Sequence, residues 1–115
     1  QKRLDEIIER TKKGGAEIVK YLGNGSAYFA PAASGVEMAE CYLKDLKKQL
    51  PCAVYLNGEY GAKDIYAGVP VIIGSGGVEK IIELQLSEEE KASFENSVKA
   101  VKELFSAAKK IDPSL

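Results

Sequence analysis

Apolar positions near the start of the chain recur with the period of an α-helix. Leu4, Ile7, Ile8, Thr11, Gly15, Ile18, Val19 and Leu22 fall on one stripe, which predicts a helix from about Lys2 to Leu22. Gly14-Gly15 in its middle each cost about 1 kcal/mol relative to alanine. Gly15 lies on the stripe, so the spacing predicts close approach of another backbone there, or a kink, or both. Gly23-Asn24-Gly25 ends the helix. A second helix is predicted from near Ala30, with Pro31 in its first turn and Ala32, Val36, Ala39, Leu43 and Leu46 as its buried stripe. Glu37, Glu40, Lys44, Lys47 and Lys48 read as its solvated face, acid early and base late.

From Leu50 the period shortens to two. "LPCAVYL" and "IYAGVPVII" read as strands joined by the loop "NGEYGAKD". The second of these is apolar on both faces, which predicts cover on both sides. Pro70 within it predicts an edge or a bulge. "GSGG" is a turn, and "VEKIIELQL" a third strand of an antiparallel meander. Ser87 with Glu90 three residues later forms a capping box. It opens a long helix whose stripe is Phe94, Val98, Val101, Phe105 and Ala108, ended by Asp112-Pro113. The predicted fold is α+β, with two N-terminal helices, a three-stranded antiparallel meander and a long C-terminal helix packed on the sheet.

Composition narrows the chemistry. The 115 residues suffice for one small domain, and 16 basic against 17 acidic residues disfavour a nucleic-acid or anionic-membrane partner. There is no histidine, which removes the usual general base, the commonest metal ligand and any Ser-His or Cys-His nucleophile from this chain. No metal site is expected. Cys41 and Cys52 belong to no CxxC pair and read as reduced, buried thiols of a cytoplasmic protein. The chain opens "QKRLDEIIER", already in a helical pattern and without an initiator Met, and is expected to be a fragment.

Three motifs invite function. "GSGGVEK" resembles a phosphate loop, but a strand and not a helix follows it, so it reads as a hairpin turn. Glu59, Tyr60, Lys63 and Asp64 read as a solvated turn, or as part of a subunit interface with Tyr60 and Tyr66 as aromatic anchors. Gly25-Ser26-Ala27 is either a helix-capping bend, with Ser26 as hydrogen bonder, or a wall that lets a ligand approach the backbone.

The segments "RTKKGGAEIVKYLGNG", "GSAYFAPAASGVEMAECYLKD" and "LPCAVYLNGEYGAKDIYAGVPVIIGSGGVEKIIELQLSEEEKASFENSV" together resemble the C-terminal portion of the lactate/malate dehydrogenase family, nearest to its lactate-dehydrogenase-like bacterial malate dehydrogenases. The resemblance implies that residues 1–115 are a C-terminal substrate-binding domain whose N-terminal Rossmann partner, binding NAD and carrying a histidine–aspartate acid–base pair, lies outside the chain. It implies no catalytic residue here. It implies that Gly25, Ser26 and Ala27 line the pocket for a small 2-hydroxy or 2-oxo acid, and that Pro31 packs near the nicotinamide. Lactate-specific members often carry threonine where Ala27 stands. The expected whole is an NAD-dependent malate dehydrogenase of the tricarboxylic acid cycle, homodimeric or homotetrameric, inactive when reduced to this chain. The alternatives are a lactate dehydrogenase fragment and a stand-alone interaction module that keeps the fold without catalysis.

Overall fold

A computed structural model describes residues 1–114. The elements run α1 (Lys2–Lys12), α2 (Gly14–Leu22), α3 (Phe29–Leu43), β1 (Lys48–Asn57), a single 3-10 turn (Glu59–Gly61), β2 (Lys63–Gly74), β3 (Gly77–Ile81) and α4 (Glu88–Ile111). The three strands make one antiparallel sheet in the order β1-β2-β3. The fold is α+β, as the periodicities predict. The chain forms two compact units, residues 1–39 and the remainder from Glu40.

In the first unit, the helix predicted over Lys2–Leu22 is two helices. The break falls at Lys13, at φ −98° and ψ 6°, beside the two glycines, which are the poorest helix formers short of proline. The kink falls beside the pair, and within this chain a Cβ at Gly15 would meet nothing within 4 Å. Arg10 bridges the break with two bonds to the Glu17 carboxylate, at 3.0 and 2.7 Å. Gly23, at φ 80°, ends α2 as expected.

α3 begins one residue earlier than predicted and stops sooner. Its end is a Schellman arrangement: the Leu46 N–H donates to the Cys41 carbonyl and the Asp45 N–H to that of Tyr42, with Asp45 left-handed at φ 49°. Leu46 therefore lies outside the helix and is half-exposed, a correction to the predicted stripe. Val36 and Leu43 are exposed as well, and the buried residue of α3 is Cys41.

The second unit has its core between sheet and α4. Ile65, Ala67, Val69, Val71 and Ile73 alternate along β2 and are buried, as are Leu56 from β1 and Val98 from α4. Phe94 and Ala108 of the α4 stripe are partly buried, while Val101 and Phe105 stay largely exposed. Only one face of β2 is fully buried. Tyr66 and Gly68 on the other are exposed, against the expectation of cover on both sides.

This strand is central and not at an edge, and it carries an irregularity at Asp64, but Pro70 is not at it. Pro70 sits opposite Pro51 of β1, and the irregularities fall at Leu56/Asn57 and Ile72/Ile73. The sheet accommodates it because Pro70 faces β3: its carbonyl accepts the Ile82 N–H at 2.9 Å. The Pro51–Pro70 pair is therefore of the non-hydrogen-bonded kind, and neither ring removes a β1–β2 bond. What Pro70 cannot do is return a bond to the Ile82 carbonyl, and the ladder ends at Ile81 rather than running to Leu86 as predicted.

Candidate functional site

The bend between α2 and α3 is built by three residues with positive φ: Gly23 at 80°, Gly25 at 96° and Tyr28 at 43°. Ser26 and Ala27 stand at its apex. The Tyr28 N–H donates to Ser26 Oγ at 3.3 Å, the Phe29 N–H to the Ala27 carbonyl at 2.6 Å and the Ala32 N–H to the Tyr28 carbonyl at 3.0 Å. Ser26 is thus a local hydrogen bonder for the bend. Its Oγ is an acceptor in that bond, and its proton remains available as a donor. Gly25, Ser26 and Pro31 are exposed and Ala27 is half-buried. Pro31 lies in the first turn of α3, where its missing N–H costs nothing.

The glycine turn is a two-residue hairpin, Ser75-Gly76 between the paired Gly74 and Gly77. Two carboxylates of the chain occupy it. Asp45 Oδ1 accepts the Ser75 N–H at 2.8 Å and Glu79 Oε1 accepts the Gly76 N–H at 3.4 Å. A Cβ on Gly74 would fall at 2.7 Å from Asp45 Oδ1. The Ser75 backbone bond holds the Asp45 carboxyl below the usual aspartate range. A phosphate would have to displace these acids, so the turn does not fit the pyrophosphate of a dinucleotide. The sheet is antiparallel and no strand–loop–helix cradle appears among the described residues.

The residues of "NGEYGAKD" do not converge on an acid–base centre. Glu59 accepts the Asn57 N–H at 2.7 Å, which keeps its carboxyl below the glutamate range. Asp64 accepts the Tyr55 hydroxyl at 2.7 Å and raises that phenol's pKa. Lys63 is exposed. Tyr60 turns inward: its hydroxyl donates to the Ile82 carbonyl at 2.6 Å and accepts the Leu84 N–H at 2.9 Å, while its ring lies 5.2 Å from that of Phe94. Tyr60 is therefore an internal tie. Tyr66 is exposed, edge-on to Tyr55. A groove of about 450 Å³ runs beside Tyr60, Phe94 and Val98, with Lys91, Lys99 and Lys102 among its lining residues. No signal in the sequence singles it out, because its residues come from the turn and from α4.

Cys41 is buried and Cys52 half-buried, and neither is in a disulfide. Among the described residues no group of three or more potential ligands could hold a metal ion, and no helix is long and apolar enough to cross a membrane.

With this geometry in view, the sequence pattern of the lactate/malate dehydrogenase alpha/beta C-terminal domain matches residues 1–111. The chain belongs to the lactate/malate dehydrogenase family. A malate dehydrogenase of Pelagibacter ubique (strain HTCC1062) is 67% identical over 113 residues, which cover 98% of this chain and 35% of that protein. The crystal structure of Cryptosporidium parvum malate dehydrogenase matches 96% of this chain and 35% of its own, at 44% identity and a TM-score of 0.93. A lactate dehydrogenase from Eimeria maxima, with NADH and oxamate, matches 96% of this chain and 34% of its own, at 45% identity and a TM-score of 0.90. Relative to such lactate/malate dehydrogenases, the chain spans about a third of the length.

Proposed function

We propose that this chain is the substrate-site portion of an NAD-dependent malate dehydrogenase, interconverting malate and oxaloacetate as part of a longer protein. The observation that carries the reading is the 67% identity to a malate dehydrogenase across almost the whole chain. Gly25, Ser26 and Ala27 form the pocket wall, and Pro31 offers a nonpolar surface beside the nicotinamide. Ala27 leaves room where a bulkier side chain would fill the cavity. The Ser26 proton suits a substrate carboxylate, because the bond from Tyr28 uses Ser26 Oγ only as acceptor. NAD, when bound, supplies the hydride acceptor. The occupied glycine turn argues that its phosphates are held by the Rossmann portion. Proton transfer also falls to that portion, since the chain has no histidine. The unbridged cysteines fit a reducing compartment such as the cytoplasm, and a homodimer or homotetramer is the proposed assembly.

Lactate is the second reading, favoured by a lactate dehydrogenase of almost the same likeness as the solved malate enzymes. Steady-state kinetics on the full-length enzyme separate the two by comparing oxaloacetate with pyruvate. In the same enzyme Ala27→Trp is expected to raise KM for the oxo acid or abolish turnover. Unchanged kinetics would remove Ala27 from the pocket. The chain alone is expected to oxidise no NADH with oxaloacetate, and measurable turnover would overturn the division of roles.

A further inference from the structure

We infer that Tyr28 is a positioning residue for the pocket wall and that it acts through Gly25. The inference rests on reading Gly25–Ala27 as that wall. Tyr28 holds a left-handed backbone, at φ 43°, that a bulky side chain adopts only when its surroundings impose it. Its phenol end occupies the space a Gly25 side chain would take. A Cβ on Gly25 would fall 3.0 Å from Tyr28 Cζ and closer still to the hydroxyl oxygen. Glycine at position 25 is favoured by φ 96°, and a Cβ there would push the Tyr28 phenol aside.

The contact closes a small loop. Gly25 and the Tyr28 ring form its base, Ser26 and Ala27 its apex. The Tyr28 N–H to Ser26 Oγ and the Phe29 N–H to the Ala27 carbonyl tie it internally, and the Ala32 N–H to the Tyr28 carbonyl fastens it to the first turn of α3. The ring and these backbone bonds together fix where Ser26 and Ala27 point. Displacement of a wall by a fraction of an ångström to 1 Å is enough to change turnover strongly.

The test is steady-state kinetics of the full-length enzyme with oxaloacetate and NADH. Tyr28→Asn removes the ring and keeps a side chain that tolerates the left-handed backbone. It is expected to raise KM for oxaloacetate by about tenfold, on the scale of a misplaced binding group, with KM for NADH unchanged. Tyr28→Phe keeps the ring and stays near wild type. Gly25→Ala expels the ring and raises the same constant. The double variant Gly25→Ala/Tyr28→Asn is expected to be no worse than the poorer single variant, because one contact is lost in both. An unchanged oxaloacetate KM in Tyr28→Asn, or simple addition of the two effects, would overturn the inference. Should Tyr28→Asn melt early, Tyr28→Leu against Tyr28→Phe carries the same comparison and leaves the strained backbone of Gly25 untouched. Ala27→Trp in the same series separates the failures. If Ala27→Trp is silent, the pocket reading is lost. If it is damaging while Tyr28→Asn is silent, only the role of Tyr28 is lost.

Discussion

At Tyr60 a phenol takes the place of an amide that the sheet lacks. Pro70 has no N–H to give the Ile82 carbonyl, and the Tyr60 hydroxyl gives one instead while taking the N–H of Leu84. To reach them Tyr60 adopts φ 54°, a conformation that costs about 1–2 kcal/mol for a residue with a Cβ. The cost is offset by the Glu83 carboxylate, which accepts the Tyr60 N–H at 2.7 Å, and by the Phe94 ring. Tyr60→Phe keeps the ring and leaves the Ile82 carbonyl and the Leu84 N–H without this partner. The expected loss is about 1–3 kcal/mol, read as a lower urea midpoint with an unchanged slope. An unaltered midpoint would mean that water replaces the hydroxyl without penalty.

At the scale of elements, α4 was the most legible part of the chain, because its start is written in side chains that bond the backbone. The Ser87 N–H and hydroxyl both donate to Glu90 Oε2, at 2.9 and 2.8 Å, and the Glu90 N–H donates to Ser87 Oγ at 3.3 Å. Ser87→Ala is expected to cost about 1 kcal/mol, seen as a lower thermal midpoint. The same bonds hold the Glu90 carboxyl below its ordinary pKa of 4.5, so its contribution is complete above that value and fades as the pH falls through the lowered folded value. Glu90→Gln should therefore be less stable than wild type at neutral pH, and the gap should close as the solution is acidified below pH 4.5. A gap independent of pH would assign the effect to packing. The other elements were legible in kind but not in extent. The kink at Lys13 was legible in Gly14-Gly15, but the stop of α3 at Leu43 and the end of β3 at Ile81 follow from bonds that hydrophobic periodicity does not register: the Asp45 and Leu46 amides for α3, and Tyr60 for β3. In the bend, Gly25 and Ser26 stood out by residue type. Tyr28 did not, because only its φ and the place of its ring mark it.

The whole molecule is uneven in burial. Among the described residues, the nine buried apolar side chains, from Cys41 to Val98, all lie in the unit that begins at Glu40. Residues 1–39 contain none, although Leu4, Ile7, Ile8, Ile18, Tyr21 and Leu22 repeat with helical period and are exposed. An amphipathic helix gains its stability chiefly by burying such a face. Amides of α1 and α2 in the isolated chain should therefore exchange with solvent hydrogen orders of magnitude faster than those of β2, whose inner face is closed. The same exposed faces predict how the chain behaves in solution. A part that has lost its Rossmann partner should bury them by self-association, so that light scattering gives an apparent mass rising with concentration. An independent interaction module, selected to be soluble alone, should hold the monomer mass at every concentration and protect α1 and α2 from exchange. The two measurements agree only if the faces are vacant: fast exchange at low concentration, slowing as mass rises, identifies association as what covers them. Slow exchange in a strict monomer would remove the argument that these helices await a partner, and with it the main physical support for reading the chain as part of a larger dehydrogenase.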